Sequence, residues 1–147
     1  MPYKKYLIIL LCVFTVAAVA CKKKKKGDGD GDPVPPPPKE AELVVVMPDI
    51  KLNQDNNATA GASLTVKVNI TSTPLPKDGV TITVTALDPA DVPIPQNAPL
   101  TVTGNTVDIS LINLPSLKVA SIVVVVTSKN DPTNTKTFRF GVLNKAV

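Results

Sequence analysis

Histidine and tryptophan are absent from this 147-residue chain, and cysteine occurs only at Cys12 and Cys21. Without histidine, the usual base for a serine or cysteine nucleophile is missing, which excludes Ser-His and Cys-His catalysis. Neither cysteine lies beyond residue 21, so nothing downstream can form an internal disulfide. Aromatic residues are scarce, with Tyr3, Tyr6 and Phe14 near the start and only Phe138 and Phe140 later. A surface that stacks sugars or unpaired bases uses aromatic faces, and residues 41–147 cannot build a broad one.

Basic character is also lacking where it would matter. The chain carries a formal net charge of +4. All of that excess falls in residues 1–40, with Lys4, Lys5, Lys22 to Lys26 and Lys39 set against Asp28, Asp30, Asp32 and Glu40. Residues 41–147 are neutral. A nucleic-acid footprint needs a basic face on the folded module, so no nucleic-acid partner is expected.

The first residues supply a pattern of their own. A short positive start, Met1 to Tyr6, precedes the apolar run Leu7 to Ala20, as in a cleaved export signal. A spanning helix needs roughly 17 to 25 apolar residues, more than this run supplies. The run closes with Ala18-Val19-Ala20-Cys21, which resembles the lipobox of bacterial lipoproteins, although that family more often has Leu where Ala18 stands. The resemblance covers this segment only. It implies a cut between Ala20 and Cys21 and a covalent lipid on Cys21, with the membrane as a partner through that anchor. Ala18-Val19-Ala20 is also an ordinary A-x-A signal-peptidase site, so secretion without lipid shares the same cut. Lysines downstream of an apolar segment resist translocation, which leaves a cytoplasmic alternative. In the lipoproteins it resembles, Asp after the cysteine directs retention in the inner membrane. Lys22 stands there instead, so the outer membrane is expected.

Residues 21–40 form the expected lipidated and disordered stalk. Lys22 to Lys26 either rest on anionic head groups or act as a solvated spacer. Gly27 to Asp32 alternates Gly and Asp, and Pro33 to Pro38 is proline-rich, which pairs a flexible stretch with a stiff one. At roughly 3 Å per residue, Lys22 to Glu40 reaches about 60 Å when fully extended. The spacing of Asp28, Asp30 and Asp32 matches the first ligands of an EF-hand loop, but Pro33 occupies the required glycine position and Lys39 that of the bidentate glutamate.

Residues 41–147 read as one domain whose pattern has a period of two. Leu64 to Thr71, Val80 to Ala86, Leu100 to Thr103 and Val107 to Leu111 alternate apolar and polar residues, as half-buried strands do. Gly104-Asn105 between the last two reads as a two-residue hairpin turn. Adding Glu42 to Ile50, Lys118 to Ser128 and Thr135 to Leu143 gives an expected all-β fold, a single seven-stranded antiparallel β-sandwich. The domain resembles immunoglobulin-like and fibronectin-type modules in pattern, without their Cys, Trp and Tyr hallmarks. Another Greek-key sandwich fits the same pattern.

Two segments are apolar on both faces, Leu43 to Met47 and Ile122 to Val126. Val123 and Val125 are therefore a candidate outward stripe for a partner or a second copy, with the plain strand preference of valine as the simpler explanation. Ser116, Lys118 and Ser121 could supply a Ser-Lys pair, but no third group accompanies them and no enzyme is expected. Asp78, Asp88, Asp91 and Asp131 lie in turns, where ordinary turn chemistry competes with calcium binding; no metal site is expected. The sequons Asn57-Ala58-Thr59 and Asn69-Ile70-Thr71 read as coincidence. The resulting expectation is a lipid-anchored envelope module that binds another envelope protein or surface target, with no cofactor beyond the lipid on Cys21. The alternative is a calcium- or small-ligand-binding lipoprotein acting through loops at one end of the sandwich.

Overall fold

The structure, a computed structural model, describes residues 39–147. Ala20, Cys21 and the stalk through Pro38 lie outside the described residues. Nine strands follow in order: β1 (Val45–Val46), β2 (Asn57–Thr59), β3 (Leu64–Ile70), β4 (Val80–Leu87), β5 (Pro93–Ile94), β6 (Leu100–Val102), β7 (Thr106–Leu111), β8 (Val119–Ser128) and β9 (Thr135–Asn144). They form a three-stranded sheet, β1-β3-β7, and a larger one ordered β2-β9-β8-β4-β5, in which β6 also pairs with β4. The all-β, two-sheet expectation holds.

The alternation in each long strand explains the layering. Along β3, Val66, Val68 and Ile70 are buried while Thr65 is exposed and Lys67 and Asn69 are only partly covered. Along β8, Ala120, Ile122, Val124 and Val126 turn inward. With Val80, Ile82 and Ala86 of β4, Ile109 and Leu111 of β7, and Phe140 and Val142 of β9, they make one apolar cluster to which both sheets contribute. Leu43 and Met47 join it from the segment around β1. Because side chains alternate faces, each long strand gives this core every second residue, which is why so much of the chain can be threonine or asparagine.

Three expectations need correction. Among the described residues the strand count is nine, not seven. The two additional strands, β2 and β5, fall outside the seven segments expected as strands, and both are too short and too polar or proline-rich to show alternation. β2 pairs with β9 in parallel, so the fold is not wholly antiparallel. Asn57 begins β2 with a buried carboxamide, whose Oδ1 accepts from the Lys51 N–H at 2.8 Å while its Nδ2 donates to the Gly141 carbonyl at 3.0 Å. Those bonds substitute for an apolar side chain at that position. Finally, Gly104-Asn105 does not close a hairpin. β6 pairs with β4 and β7 pairs with β3, so this turn carries the chain from one sheet to the other.

The chain segment 39–43 lies at the end that also carries loops 71–79, 103–105 and 129–134. The Leu43 N–H donates to Asn134 Oδ1 at 2.8 Å and the Lys129 N–H to the Gly79 carbonyl at 3.1 Å. Gly79 has φ 78°, and a Cβ there would lie 2.9 Å from the Val102 carbonyl carbon, so this turn requires glycine. Loops 60–63, 88–92 and 112–118 and residues 145–147 gather at the opposite end, tied by the Leu114 N–H to the Ala62 carbonyl and the Leu117 N–H to the Asn144 carbonyl.

Candidate functional site

Residues directly opposite each other in a ladder share a face, so the register of the larger sheet defines its outer surface. One row aligns Thr81, Thr127 and Thr135; the next aligns Thr83, Val125 and Thr137; the third aligns Thr85, Val123 and Arg139. Thr101 of β6 extends the first row beside Thr81. Val123 and Val125 therefore point outward, side by side on β8, and both are half-buried. What covers them is threonine. Thr83, Thr85 and Thr137 are their cross-strand neighbours, each branched at Cβ into a methyl and a hydroxyl. The result is a flat surface of mixed character with a two-valine centre, rather than a broad apolar patch.

Arg139 is the chain's only arginine, and it stands exposed next to Val123. Sequence reasoning passed over it. Its uniqueness among sixteen cationic residues was the available signal. Loop 53–55 flanks it along β9: the Asn53 N–H donates to the Arg139 carbonyl at 2.7 Å and the Gly141 N–H to the Gln54 carbonyl at 2.8 Å. Asn53 holds φ 57°, a conformation that asparagine tolerates better than most residues. A shallow depression lies between this loop and the sheet, with Asp55, Ser121, Val123 and Arg139 in its wall. The aliphatic centre, hydroxyl margin and one guanidinium suit a protein surface that offers an apolar patch and a carboxylate.

The other candidates fall elsewhere. Val44 and Val46 are exposed on the smaller sheet. Ser116, Lys118 and Ser121 are exposed, and no hydrogen bond joins them among the described residues. Asp88 and Asp91 sit at the end opposite the chain segment 39–43, whereas Asp78 and Asp131 sit at the same end as that segment. No group of three carboxylate, cysteine or histidine side chains placed to hold a metal occurs among the described residues. Two of these acids serve their own turns. The Asp88 carboxyl is held below its usual range chiefly by the Val92 and Ala90 N–H groups, which donate at 2.9 and 2.8 Å. That of Asp131 is lowered by the Thr133 hydroxyl and N–H. Glu42 is lowered by its bond to the Lys136 ammonium. Asn57, in the first sequon, is buried.

No protein-family model, curated protein or solved structure matches the chain.

Proposed function

We propose that the chain is a bacterial lipoprotein, cut between Ala20 and Cys21 and held to the outer membrane by lipid on Cys21, that presents an immunoglobulin-like protein-binding module. The sheet order supports the immunoglobulin-like reading. β1, β3 and β7 face β4, β8 and β9, with β2 as a split first strand running parallel to the last. The binding role rests on one observation: the outward face of the larger sheet places Val123 and Val125 together beside Arg139 and surrounds them with threonine. Aromatic and arginine anchors dominate protein interfaces, and Arg139 is the anchor of that kind on this face. Two acyl chains or more, at about 0.8 kcal/mol per buried methylene, hold a protein stably on a membrane.

Membrane fractionation of wild type and Cys21→Ala, with capture of bound proteins from wild type and from Val123→Lys, tests both halves. The wild type is expected in the membrane fraction and Cys21→Ala in the soluble one, with Val123→Lys folded, membrane-bound and lacking the captured partner. A Cys21→Ala variant that stays on the membrane while unprocessed wild type accumulates overturns the anchor. Unchanged capture by folded Val123→Lys overturns the face.

A further inference from the structure

The edges of the two sheets are unequally protected. β1, β2, β5 and β6 are only two or three residues long, and β5 begins at Pro93 with Pro95 just after it. Short strands and prolines are the usual defences against strand addition. β7, the edge of the smaller sheet, runs for six residues, Thr106-Val107-Asp108-Ile109-Ser110-Leu111, without proline, glycine or lysine.

Two hydrogen bonds show which way its backbone faces. The Ile70 N–H donates to the Asn105 carbonyl at 2.7 Å, which makes Ile70 and Asn105 a bonded pair. Bonded pairs alternate along an antiparallel ladder, so Val107, Ile109 and Leu111 turn their N–H and C=O groups toward β3. Thr106, Asp108 and Ser110 turn theirs away. The same parity appears at Ile112, where the Gln96 carboxamide accepts from the N–H at 3.0 Å and donates to the C=O at 2.7 Å. Gln96 thus takes the place of a neighbouring strand for one residue. Beyond it, Thr106, Asp108 and Ser110 are exposed, and no backbone hydrogen bond reaches their outward groups among the described residues. A slot of about 190 Å³ opens beside them between the sheets, lined by Ile82, Val84, Leu100 and Ile109 among others.

We propose that β7 docks against β7 of a second copy of this chain, joining the two small sheets into one. Self-complementarity selects this occupant. Gln96 closes the ladder at Ile112, so pairing stops at Leu111. A two-fold axis at Asp108 would oppose like charges. An axis at Ile109 instead sets each Asp108 against the partner's Ser110 as reciprocal bonded pairs and leaves the Lys67–Asp108 bridge of 3.0 Å in place. It also brings the two Ile109 side chains together at the mouths of both slots, so one contact closes both. The interface is isologous, as in most dimers. The chain's own residues 33–38 do not fit this edge, since five of the six are prolines without an N–H.

Sedimentation velocity of the full chain carrying Cys21→Ala, in reducing buffer, tests the dimer. Mass twice that of the chain is expected. Ser110→Pro removes one outward N–H and keeps the bonds to β3, as edge prolines do; it is expected to be monomeric with unchanged circular dichroism. Val123→Lys lies on the other sheet and remains dimeric, so failure here is separate from failure of the binding face. A wild type that stays monomeric to millimolar concentration overturns the proposal, as does a folded Ser110→Pro that still dimerises. Hydrogen exchange on the unmodified residues 106–111 decides the matter even if Ser110→Pro does not fold. The Asp108 and Ser110 amides are expected to slow as concentration rises while those of Val107 and Ile109 do not change. A dimer whose Asp108 and Ser110 amides exchange as fast as the monomer's overturns it.

Discussion

Asn134 and Leu43 are joined across the sandwich end by the Leu43 N–H, which donates to Asn134 Oδ1 at 2.8 Å. The same carboxamide donates from Nδ2 to the Glu40 carboxylate and the Ala41 carbonyl, both at 2.9 Å. One side chain therefore ties the segment that leads into β1 to the loop between β8 and β9. Ser128 adds a second tie through its hydroxyl, which donates to Glu40 Oε1 at 2.9 Å.

Removing that carboxamide leaves three groups to find water in a part-buried place. Asn134→Ala is expected to cost about 1 to 3 kcal/mol. Urea unfolding measures it as a lower midpoint at unchanged slope. Amide exchange at Leu43 is expected to rise more than at Val124, because the loss is local to the tie.

Neighbouring residues on β8 should respond oppositely. Ile122 is 1% exposed and lies in the core, whereas Val123 is half-buried on the outer face. Ile122→Ala is expected to cost about 2 to 5 kcal/mol, as core truncations do. Val123→Thr extends the surrounding threonine face and is expected to stay within about 0.5 kcal/mol of wild type. Equal costs at the two positions would mean that the outer face is covered after all.

That contrast also shows what the sequence made legible. Ser121, Val123, Val125 and Thr127 form one alternating row, and its polar ends marked which valines faced out. β3, β4, β6 and β7 were readable from alternation, because a buried face leaves a period of two, whereas the Ile122 to Val126 run of β8 was marked as a strand by its β-branched residues alone. β2 was not, since the fold buries it through the Asn57 carboxamide, and a lone asparagine in a polar run carries no periodicity. The turn at Gly104-Asn105 failed for a different reason. Its residues suit a tight turn whether the next strand pairs with the last or crosses to the other sheet, and only the distant partners β4 and β3 decide between them. Arg139 was hidden because its position opposite Val123 depends on the β8–β9 register.

Gly141 is paired with Ser121 and approached closely by loop 53–55. A Cβ at that position would lie 2.8 Å from the Asp55 Cα. The obstacle is backbone, held by the Gly141 N–H bond to the Gln54 carbonyl, so Gly141→Ala must displace the loop. A cost on the order of 1 to 3 kcal/mol is expected, within the range for overpacking. Asn57, which donates to the Gly141 carbonyl, loses its register at the same time. Thermal unfolding checks the cost, and faster exchange at Lys51, whose N–H donates to Asn57, checks the mechanism.

Acid should weaken the fold through Glu42, Asp88 and Asp131. Each carboxyl is held below its ordinary value, 4.5 for the glutamate and 3.8 for the aspartates. A carboxyl that binds its proton less readily when folded contributes stability above the unfolded value and loses it as pH falls through the folded one. The melting temperature is therefore expected to decline from about pH 5 downward and to be flat above that up to neutrality. Asp88→Asn keeps an oxygen for the Ala90 and Val92 N–H groups but cannot titrate, so the acid limb is expected to be shallower in that variant. An identical limb would remove Asp88 from the account.

Leu117 holds φ 55° in the turn before β8, and its side chain is 63% exposed. A left-handed backbone costs a branched side chain roughly 1 to 2 kcal/mol, whereas glycine adopts it freely and loses about 0.5 to 1 kcal/mol of unfolded-state entropy. Little buried area offsets the strain at so exposed a residue. The Leu117 N–H donates to the Asn144 carbonyl at 2.8 Å, and glycine keeps that bond. Leu117→Gly is therefore expected to raise stability by up to about 1 kcal/mol, read as a higher urea midpoint at unchanged slope. Leu117→Ala keeps the strain and is expected to gain nothing. A Leu117→Gly variant less stable than wild type would mean that the unfolded-state entropy of glycine outweighs the relieved strain.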